Sequence, residues 1–236
     1  MASSIIVSIE GNIGSGKSTF VADLKRSQYK NIGDYKFVFV QEPVDEWMQI
    51  KDKSGKNMLT KFYDDQKRYA FSFQMMAYIS RLSLLKRIYE ENPINTIIVT
   101  ERSMYTDRYV FAKMLYDDNK IEHVEYQIYL KWFDEFIKEL PLSGMVYLRT
   151  NPETSYARVI KRDREGETID LHYLKKCFTY HESWLNTENN VFVLDVNEEN
   201  NETNTSYWIN ECINYLRRSL LNEVVETETS ALTACI

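Results

Sequence analysis

The sequence has few cysteines, no block of positive charge and no long apolar run, and each shortage excludes a class of protein. Its cysteines are Cys177, Cys212 and Cys235, an odd and widely spaced set without a Cys-x-x-Cys pair. Neither a disulfide framework nor a zinc site is therefore expected, and reduced thiols are typical of a cytoplasmic protein. The formal net charge of −6 argues against a nucleic-acid partner and favours a small anionic ligand that is neutralised locally. The apolar runs fall far short of the ~20 residues that a membrane-spanning helix needs, so no membrane partner is expected.

The residues that are present are typical of an ordinary α/β domain. At 236 residues, of which 44% are hydrophobic, the chain is long enough for one domain with a full core. The first strand pattern begins at about Ile5, which leaves no room for a signal or transit peptide before it. We expect a single cytoplasmic domain over residues 1–222 and a disordered tail, 223–236, that is rich in threonine and glutamate.

Short apolar runs alternate with helical patterns along the chain. This alternation predicts a five-stranded parallel sheet with helices on both faces. The strand runs are 5–9, 37–40, 96–100, 145–148 and 191–194. The helical patterns are 17–27, 62–91 (one long helix or two joined helices), 107–116, 124–140, two that begin at 152 and 171, and 208–220. Because ligands bind beyond the carboxyl ends of the strands in such sheets, the residues that follow each strand are the candidates for a site.

The first strand leads into a glycine loop, 11–18, that fits the phosphate-binding pattern Gly-x-x-x-x-Gly-Lys-[Ser/Thr]. Its glycines permit backbone angles that turn successive N–H groups onto an anion, and the helix that follows adds its positive N-terminal end. Lys17 would reach the outer phosphates, and the Ser18 hydroxyl would hold Mg²⁺. The predicted phosphate-binding segment comprises Gly11, Asn12, Ile13, Gly14, Ser15, Gly16, Lys17, Ser18 and Thr19.

Charged and aromatic residues follow the second and third strands. Glu42 is either a surface acid that starts a turn at Pro43 or a general base that takes the proton of an attacking hydroxyl. Glu101 would hold Mg²⁺, directly or through water, and Arg102 would donate to phosphate oxygens; the alternative is a structural Glu–Arg pair. Trp47 is either a core residue or one wall of an aromatic ligand site.

Two other segments carry further candidates. Arg158, Arg162 and Arg164 belong to the densest positive cluster of the chain, which is either a solvated helix face or a closing lid that neutralises a transferring phosphoryl group. Gln74 lies among aromatic residues that are core by default, yet a carboxamide there suits the edge of a base that stacks on aromatic rings. The three histidines have no ligand-like spacing, and we interpret them as structural or surface residues.

In combination these motifs resemble the deoxynucleoside kinase family, in particular its deoxycytidine and deoxyguanosine kinases, over about residues 5–220. The shared motifs are the glycine loop 11–19, Glu-Pro-Val and Trp at 42–47, Phe-Gln at 73–74, Ser-Arg at 80–81, Glu-Arg-Ser and Asp-Arg-Tyr at 101–109, Arg-Asp-Arg at 162–164 and His-Glu-Ser-Trp-Leu at 181–185. The resemblance implies a P-loop kinase fold with a short arginine-rich lid. It also implies an enzyme of nucleotide salvage and DNA precursor synthesis, which uses ATP and Mg²⁺ to phosphorylate the 5′-hydroxyl of a deoxyribonucleoside.

The resemblance further implies roles for individual residues. Glu42 would accept the proton of the 5′-hydroxyl, with Arg102 at the same oxygen, so both are expected to be catalytic. Gln74 would pair with the nucleobase, and Tyr63 would bond the sugar 3′-hydroxyl. The residues implied around the nucleoside are Glu42, Trp47, Tyr63, Phe73, Gln74, Ala77, Arg81, Arg102, Asp107, Phe111 and Glu167. The implied metal ligands are Ser18 and Glu101, and the implied lid cations are Arg158, Arg162 and Arg164.

A few positions bear on the choice of substrate. Arg81 and Asp107 resemble the pair that deoxycytidine and deoxyguanosine kinases place beside the base, where thymidine-preferring relatives carry smaller or apolar residues. Ala77 matches the deoxycytidine kinases, since the guanosine enzyme carries serine there. Deoxycytidine and purine deoxynucleosides are therefore favoured over thymidine, while their ranking and the preferred phosphate donor stay open. The lid is one residue shorter than in the family, so the acid that meets the 3′-hydroxyl is Glu167, which we favour, or Glu165.

The resemblance also implies a homodimer and feedback inhibition by a deoxynucleoside triphosphate.

Two rival interpretations would require other residues in the sequence. A nucleoside-monophosphate kinase would need extra cations for the phosphate of its acceptor, whereas Gln74, Tyr63 and Glu167 suit an uncharged sugar and base. A non-catalytic relative would have lost Lys17, Glu42 or a lid arginine, and the chain keeps them all.

Overall fold

In the computed structural model, which describes residues 3–164 and 166–233 and side chains as far as residue 218, one sheet organises the chain. The strands are β1 (Ile5–Glu10), β2 (Asn31–Ile32), β3 (Tyr35–Val40), β4 (Thr96–Glu101), β5 (Leu142–Arg149) and β6 (Val191–Asp195). Their order across the sheet is β2-β3-β4-β1-β5-β6. The pairs β3–β4, β4–β1, β1–β5 and β5–β6 are parallel, so the five predicted parallel strands are confirmed.

The sixth strand, β2, is an addition that the sequence analysis did not predict. It pairs antiparallel with β3, with Asn31 opposite Lys36 and Ile32 opposite Tyr35. The turn between them has Gly33 at φ +54°, because two-residue hairpin turns need a positive φ that glycine adopts readily. With only two residues, of which one is apolar, β2 is too short to show the apolar run by which the other strands are recognised.

The helices mostly follow the predicted patterns. They are α1 (Lys17–Arg26), α2 (Val44–Gln49), α3 (Met58–Asp64), α4 (Gln66–Glu91), α5 (Met104–Thr106), α6 (Lys113–Asp117), α7 (His123–Phe136), α8 (Pro152–Arg162), α9 (Leu171–Leu185) and α10 (Glu202–Thr233). A π-helical turn, Asp107–Ala112, joins α5 to α6, and a 3₁₀ turn, Ile137–Glu139, follows α7. The 62–91 pattern is two joined helices, because Asp65 leaves the helical conformation (φ −145°) and its side chain caps the start of α4.

Apolar layers cover both faces of the sheet, which is why its strands are continuous apolar runs. On one face, Val7 and Val99 pack in a cluster with residues of α1 and α10. On the other face, Ile6 and Ile98 pack in a cluster with residues of α4 and α7. This packing leaves the carboxyl ends of β1, β3 and β4 at a cavity of about 860 Å³, in the place where the predicted topology locates a ligand.

The carboxyl-terminal region differs from the sequence-based prediction in one respect. The last helix, predicted over 208–220, spans Glu202–Thr233 and so enters the segment 223–236 for which the composition predicts disorder. Residues 234–236 lie outside the described residues, and the division into a domain and a tail stays a prediction. None of the helices in the described part of the chain combines the length and apolar character that crossing a membrane requires.

Candidate active site

The loop between β1 and α1 lies against neighbouring backbone, which explains two of its glycines. A Cβ atom at Gly11 would lie 2.7 Å from the carbonyl oxygen of Leu148, and one at Gly14 would collide with the carbonyl of Ser155. Both glycines also have a positive φ, +146° and +78°, a region that side chains disfavour. The phosphate-binding loop is thus fixed in shape by β5 and α8 as well as by its own sequence.

Lys17 is buried inside this loop. Its Nζ donates hydrogen bonds to the carbonyl oxygens of Asn12, at 2.7 Å, and Gly11, at 3.1 Å. Burial, and after it the charge of Arg102, lowers the pKa of Lys17 to about 7, against the opposing effect of nearby carboxylates such as Glu101. An anion bound in the loop would favour the charged ammonium, because an opposite charge raises the pKa of a lysine.

Ser18 and Glu101 meet at the loop, as the sequence predicts. Ser18 lies in the first turn of α1 and Glu101 ends β4, and the Ser18 Oγ donates to Glu101 Oε1 at 2.5 Å. Hydroxyl and carboxylate oxygens are ligands that suit Mg²⁺. Among the described side chains, no group of three or more His, Cys, Asp or Glu is arranged to hold a metal ion. An ion at Ser18 and Glu101 would therefore take further ligands from phosphate and water.

Glu42, which follows β3, is held by two arginines from other elements. Arg81 of α4 donates from Nη2 to Glu42 Oε1 at 2.9 Å, and Nε of Arg102 lies 3.5 Å from the same oxygen. Burial alone would raise the pKa of Glu42, but the charges of Arg81 and Arg102 outweigh it and lower the pKa to about 2. The side chain is 17% exposed, so Glu42 is an ionised, largely enclosed carboxylate and not the surface acid of the alternative interpretation.

Arg81 extends this network to the residue that begins the π-helical turn. Its Nε donates to Asp107 Oδ2 at 3.0 Å, and its Nη1 donates to the backbone oxygen of Glu101 at 3.1 Å. Asp107 is 2% exposed, so the predicted Arg81–Asp107 pair is a buried one. The contact of Arg81 with Glu42 was missed by the sequence analysis, which gives no signal for which face of α4 lies over the strand ends.

The cavity continues from the glycine loop past Glu42 to an aromatic end. The aromatic and amide residues that line this end are Trp47, Phe62, Phe73, Gln74, Phe111 and Tyr173. Trp47 is fixed by a hydrogen bond from Nε1 to Ser80 Oγ, at 2.8 Å, and by an edge contact with Phe73. Gln74 is 2% exposed, and its Oε1 has no hydrogen-bond partner within the described residues. Because an unpaired buried acceptor is costly, this oxygen is available to a donor on a ligand.

The lid turn between α8 and α9 is folded onto an acid of its own. Arg162 pairs with Glu167, and Arg164 Nη1 lies 3.9 Å from Glu167 Oε1. Glu167 lines the cavity, and Tyr63 packs against the apolar cluster that contains Ile169, two residues after Glu167. Burial, and after it the charge of Glu167, raises the pKa of Tyr63. Tyr63 itself is not among the lining residues. Glu165, the alternative to Glu167, lies outside the described residues.

Arg158 is placed differently from the other two lid cations. Its guanidinium donates to the backbone oxygens of Ser15, at 3.2 Å, and of Val196 and Glu198, both at 2.9 Å. It therefore joins the phosphate-binding loop to the segment that follows β6. That segment, 196–200, lines the cavity, and its first residues directly follow a predicted strand, where the sequence analysis places candidates for a site. Tyr173 also lines the cavity and was missed by the sequence analysis.

A glycine loop between the first strand and helix of a parallel sheet, with a serine and an acid at its mouth, defines a P-loop phosphotransferase. The family model for deoxynucleoside kinases matches residues 7–217. The chain is 35% identical to deoxycytidine kinase 2 of Gallus gallus over 89% of each protein. It is 37% identical to the deoxycytidine kinase of Homo sapiens, over 76% of this chain and 74% of the relative. It is 34% identical to the mitochondrial deoxyguanosine kinase of Xenopus laevis, over 76% and 72%. The chain therefore belongs to the deoxynucleoside kinase family, and it is a transferase for which ATP is the phosphate donor.

Proposed function

We propose that the enzyme transfers the γ-phosphate of ATP to the 5′-hydroxyl of deoxycytidine or a purine deoxynucleoside, and that thymidine is a poor substrate. The observation that supports this proposal best is one continuous cavity, which joins the glycine loop to Gln74 by way of Glu42 and Arg102. Donor phosphates at the loop and a nucleobase at Gln74 would leave the 5′ end of the sugar at Glu42. The acceptor and the donor then meet where the charged side chains converge.

Glu42 is suited to orient the attacking hydroxyl. With a pKa of about 2 it is always ionised near neutral pH and accepts a hydrogen bond from the 5′-hydroxyl. A carboxylate with so low a pKa is a weak base. The hydroxyl proton would therefore pass to Glu42 only after the new bond to phosphorus has made the hydroxyl more acidic. Orientation is therefore the larger part of its contribution. Arg102, beside the same oxygen, would stabilise negative charge that develops on the transferring group.

Ser18 and Glu101 are the residues that would hold Mg²⁺. Their oxygens fit the ion by chemical type and already lie in contact. When bound, the ion would supply neutralisation of the donor phosphates. Lys17 would release the carbonyl oxygens of Asn12 and Gly11 to bind the outer phosphates. Because burial lowers its pKa to about 7, Lys17 would gain a proton when the phosphates bind.

Selectivity for the base would come from one amide and one ion pair. The Gln74 carboxamide offers one donor group and one acceptor, which suits an amino group beside a ring nitrogen in cytosine or adenine. The Arg81–Asp107 pair is fixed by hydrogen bonds and buried. A thymine methyl group placed against it would cover charged groups without offering a hydrogen bond, which is unfavourable.

Closure of the lid would complete the site. Because Tyr63 packs against the apolar cluster of Ile169, which follows Glu167 closely in the chain, the two side chains would bind the sugar 3′-hydroxyl together. Because Arg162 and Arg164 are paired with Glu167, donor phosphates would compete with this carboxylate for the two cations. A deoxynucleoside triphosphate with its base at Gln74 and its phosphates at the loop would fill both halves of the cavity, which is the basis we propose for feedback inhibition.

A second copy of the chain would pack on α7. Val124, Ile128 and Trp132 are 59%, 44% and 48% exposed and lie four residues apart, which puts them on one face of the helix. The Tyr78 hydroxyl of α4 donates to the backbone oxygen of Trp132, so α7 is packed against α4 and its exposed face is left for a partner. We propose that this apolar face forms a homodimer. Light scattering should find a dimer for the wild type and a monomer for Trp132→Glu; an unchanged mass would refute the interface.

The decisive experiment measures initial rates of ATP-dependent phosphorylation of deoxycytidine, deoxyadenosine, deoxyguanosine and thymidine. Glu42→Gln keeps the size of the side chain but removes its charge, and Glu46→Gln, an exposed acid nearby, is the matched control. Turnover of deoxycytidine or a purine nucleoside, slow thymidine, an inactive Glu42→Gln and an active Glu46→Gln are expected. Preferred turnover of thymidine would overturn the selectivity but not the kinase, whereas no turnover of any nucleoside would overturn the proposed reaction.

A further inference from the structure

Arg102 occupies an unusual backbone conformation. Directly after β4 its φ is +65°, in the left-handed region that costs free energy for a residue with a side chain and persists only where surrounding contacts hold it. This turn points the guanidinium back over the strand ends. There Nη1 donates to the carbonyl oxygen of Gly11 at 2.8 Å, and Nε faces Glu42.

Two hydrogen bonds hold the backbone of Arg102 in this turn. Its N–H donates to the carbonyl oxygen of Ile9 in β1 at 3.0 Å. Its carbonyl oxygen accepts from the Oγ1 of Thr100, two residues earlier, at 2.8 Å. We infer that Thr100 is a positioning residue, whose hydroxyl holds Arg102 in the left-handed turn that aims the guanidinium at Glu42 and the phosphate-binding loop. The inference rests on the proposed function, because it takes Arg102 to contact the reacting groups.

The surroundings of Thr100 restrict what its hydroxyl does. Thr100 lies in a central strand, opposite Ser8 of β1 and Val40 of β3, and is 4% exposed. A hydroxyl in such a place needs a partner within the protein, and the partner here is the carbonyl of the strained residue. The alternative is that Thr100 is an ordinary β-branched strand residue whose hydroxyl takes the nearest acceptor without any effect on catalysis.

Three variants separate these two roles. Thr100→Val keeps the shape and removes the hydroxyl, while Thr100→Ser keeps the hydroxyl. Thr96→Val is the matched control, since Thr96 is buried at the other end of β4 and its Oγ1 likewise donates to a backbone oxygen, that of Ile94, at 2.9 Å. With deoxycytidine and saturating ATP, Thr100→Val should lower kcat about five- to tenfold, the loss expected for one hydrogen bond that acts on the transition state. Thr100→Ser and Thr96→Val should remain within about twofold of the wild type.

A double-mutant cycle with Arg102 distinguishes a positioning role of Thr100 from a purely structural one. In an Arg102→Met background, assayed with radiolabelled ATP to follow slow turnover, Thr100→Val should lower kcat no further, although it lowers the melting temperature in both backgrounds. Equal kcat values for Thr100→Val and Thr100→Ser would overturn the inference, as would losses in kcat that add to those of Arg102→Met. Such results with an active wild type leave the proposed reaction intact, whereas a wild type inactive on every deoxynucleoside overturns both.

Discussion

Replacement of Arg81 by methionine tests the charge network at the centre of the site. The Arg81 side chain is 6% exposed and lies between two carboxylates, Glu42 and Asp107, that are 17% and 3% exposed. Methionine keeps the apolar stem and removes the charge, so Asp107 would lose the partner that makes its burial tolerable. Glu42 is less affected, because Arg102 remains 3.5 Å from it.

Removing one partner of a buried ion pair typically costs about 3–5 kcal/mol, because the other charge is left without compensation. For a domain of this size, each 1 kcal/mol shifts the melting temperature by about 2–4 °C, so Arg81→Met should lower it by roughly 6–20 °C. Adding Asp107→Asn removes the stranded charge. The double variant should therefore be more stable than Arg81→Met alone, by about 2 kcal/mol or more.

Urea unfolding of the wild type, the two single variants and the double variant measures these differences. The pH dependence adds an independent check. Burial already raises the pKa of Asp107 against the effect of Arg81, and loss of Arg81 would raise it further. The folded variant then binds a proton that the unfolded chain releases. The difference between its free energy of unfolding and that of the wild type should therefore shrink as the pH falls toward that pKa. An Arg81→Met variant as stable as the wild type would refute the reasoning, and so would a double variant less stable than Arg81→Met.

Three further perturbations test other parts of the site. Binding of ATP should take up nearly one proton at pH 8 and little at pH 6, since the pKa of Lys17 is about 7 and bound phosphate raises it. Calorimetry in buffers of different ionisation enthalpy measures this proton uptake, and Lys17→Arg should abolish it. At saturating ATP, kcat should show no titration of Glu42 between pH 4 and 8, because its pKa is about 2. A decline centred near pH 4.5 would contradict the pairing with arginine. Gly166→Ala should raise KM for the nucleoside, because a Cβ there, at φ +76°, would collide with the Thr60 hydroxyl. Thr60→Ala should restore part of this loss, and an unchanged KM in Gly166→Ala would show that the lid does not close against α3.

The parts of the fold and site that depend on residues adjacent in the sequence were predictable from it. The glycine loop is encoded within eight consecutive residues, so its place between β1 and α1 follows from the motif alone. The meeting of Ser18 with Glu101 follows from one further step, since β1 and β4 are both buried apolar runs that end at the same edge. Gln74 was a candidate from the chemistry of its carboxamide, and the family resemblance supplied Phe111; both line the cavity, although their contacts with a substrate stay predictions.

Contacts that depend on how one helix face lies over the sheet were not predictable. Arg81 reaches Glu42, 39 positions away in the chain, because α4 begins anew after Asp65 and packs on the sheet. The periodicity of α4 does not specify which of its residues lies over the strand ends. The hydrophobic pattern of α4 identifies a helix but not which polar residue faces the cavity. The anchoring of Arg158 on backbone oxygens of two loops is unpredictable for the same reason, since a positive cluster in a sequence carries no record of its acceptors.

The same limit explains how a chain with a net charge of −6 holds a polyphosphate. In the structure the cations of the site are already engaged: Arg81 with Asp107, Arg162 with Glu167, and Lys17 with carbonyl oxygens of its own loop. Whether the partner comes from another element, as for Arg81, or from the same loop, as for Lys17, composition and spacing reveal the charges but not their neutralisation. A donor phosphate that drew Lys17 and Arg162 from these partners would gain strong hydrogen bonds, and it would leave Glu167 free to accept one from the sugar. We therefore expect donor and nucleoside binding to be coupled through these pairs, which net charge does not measure.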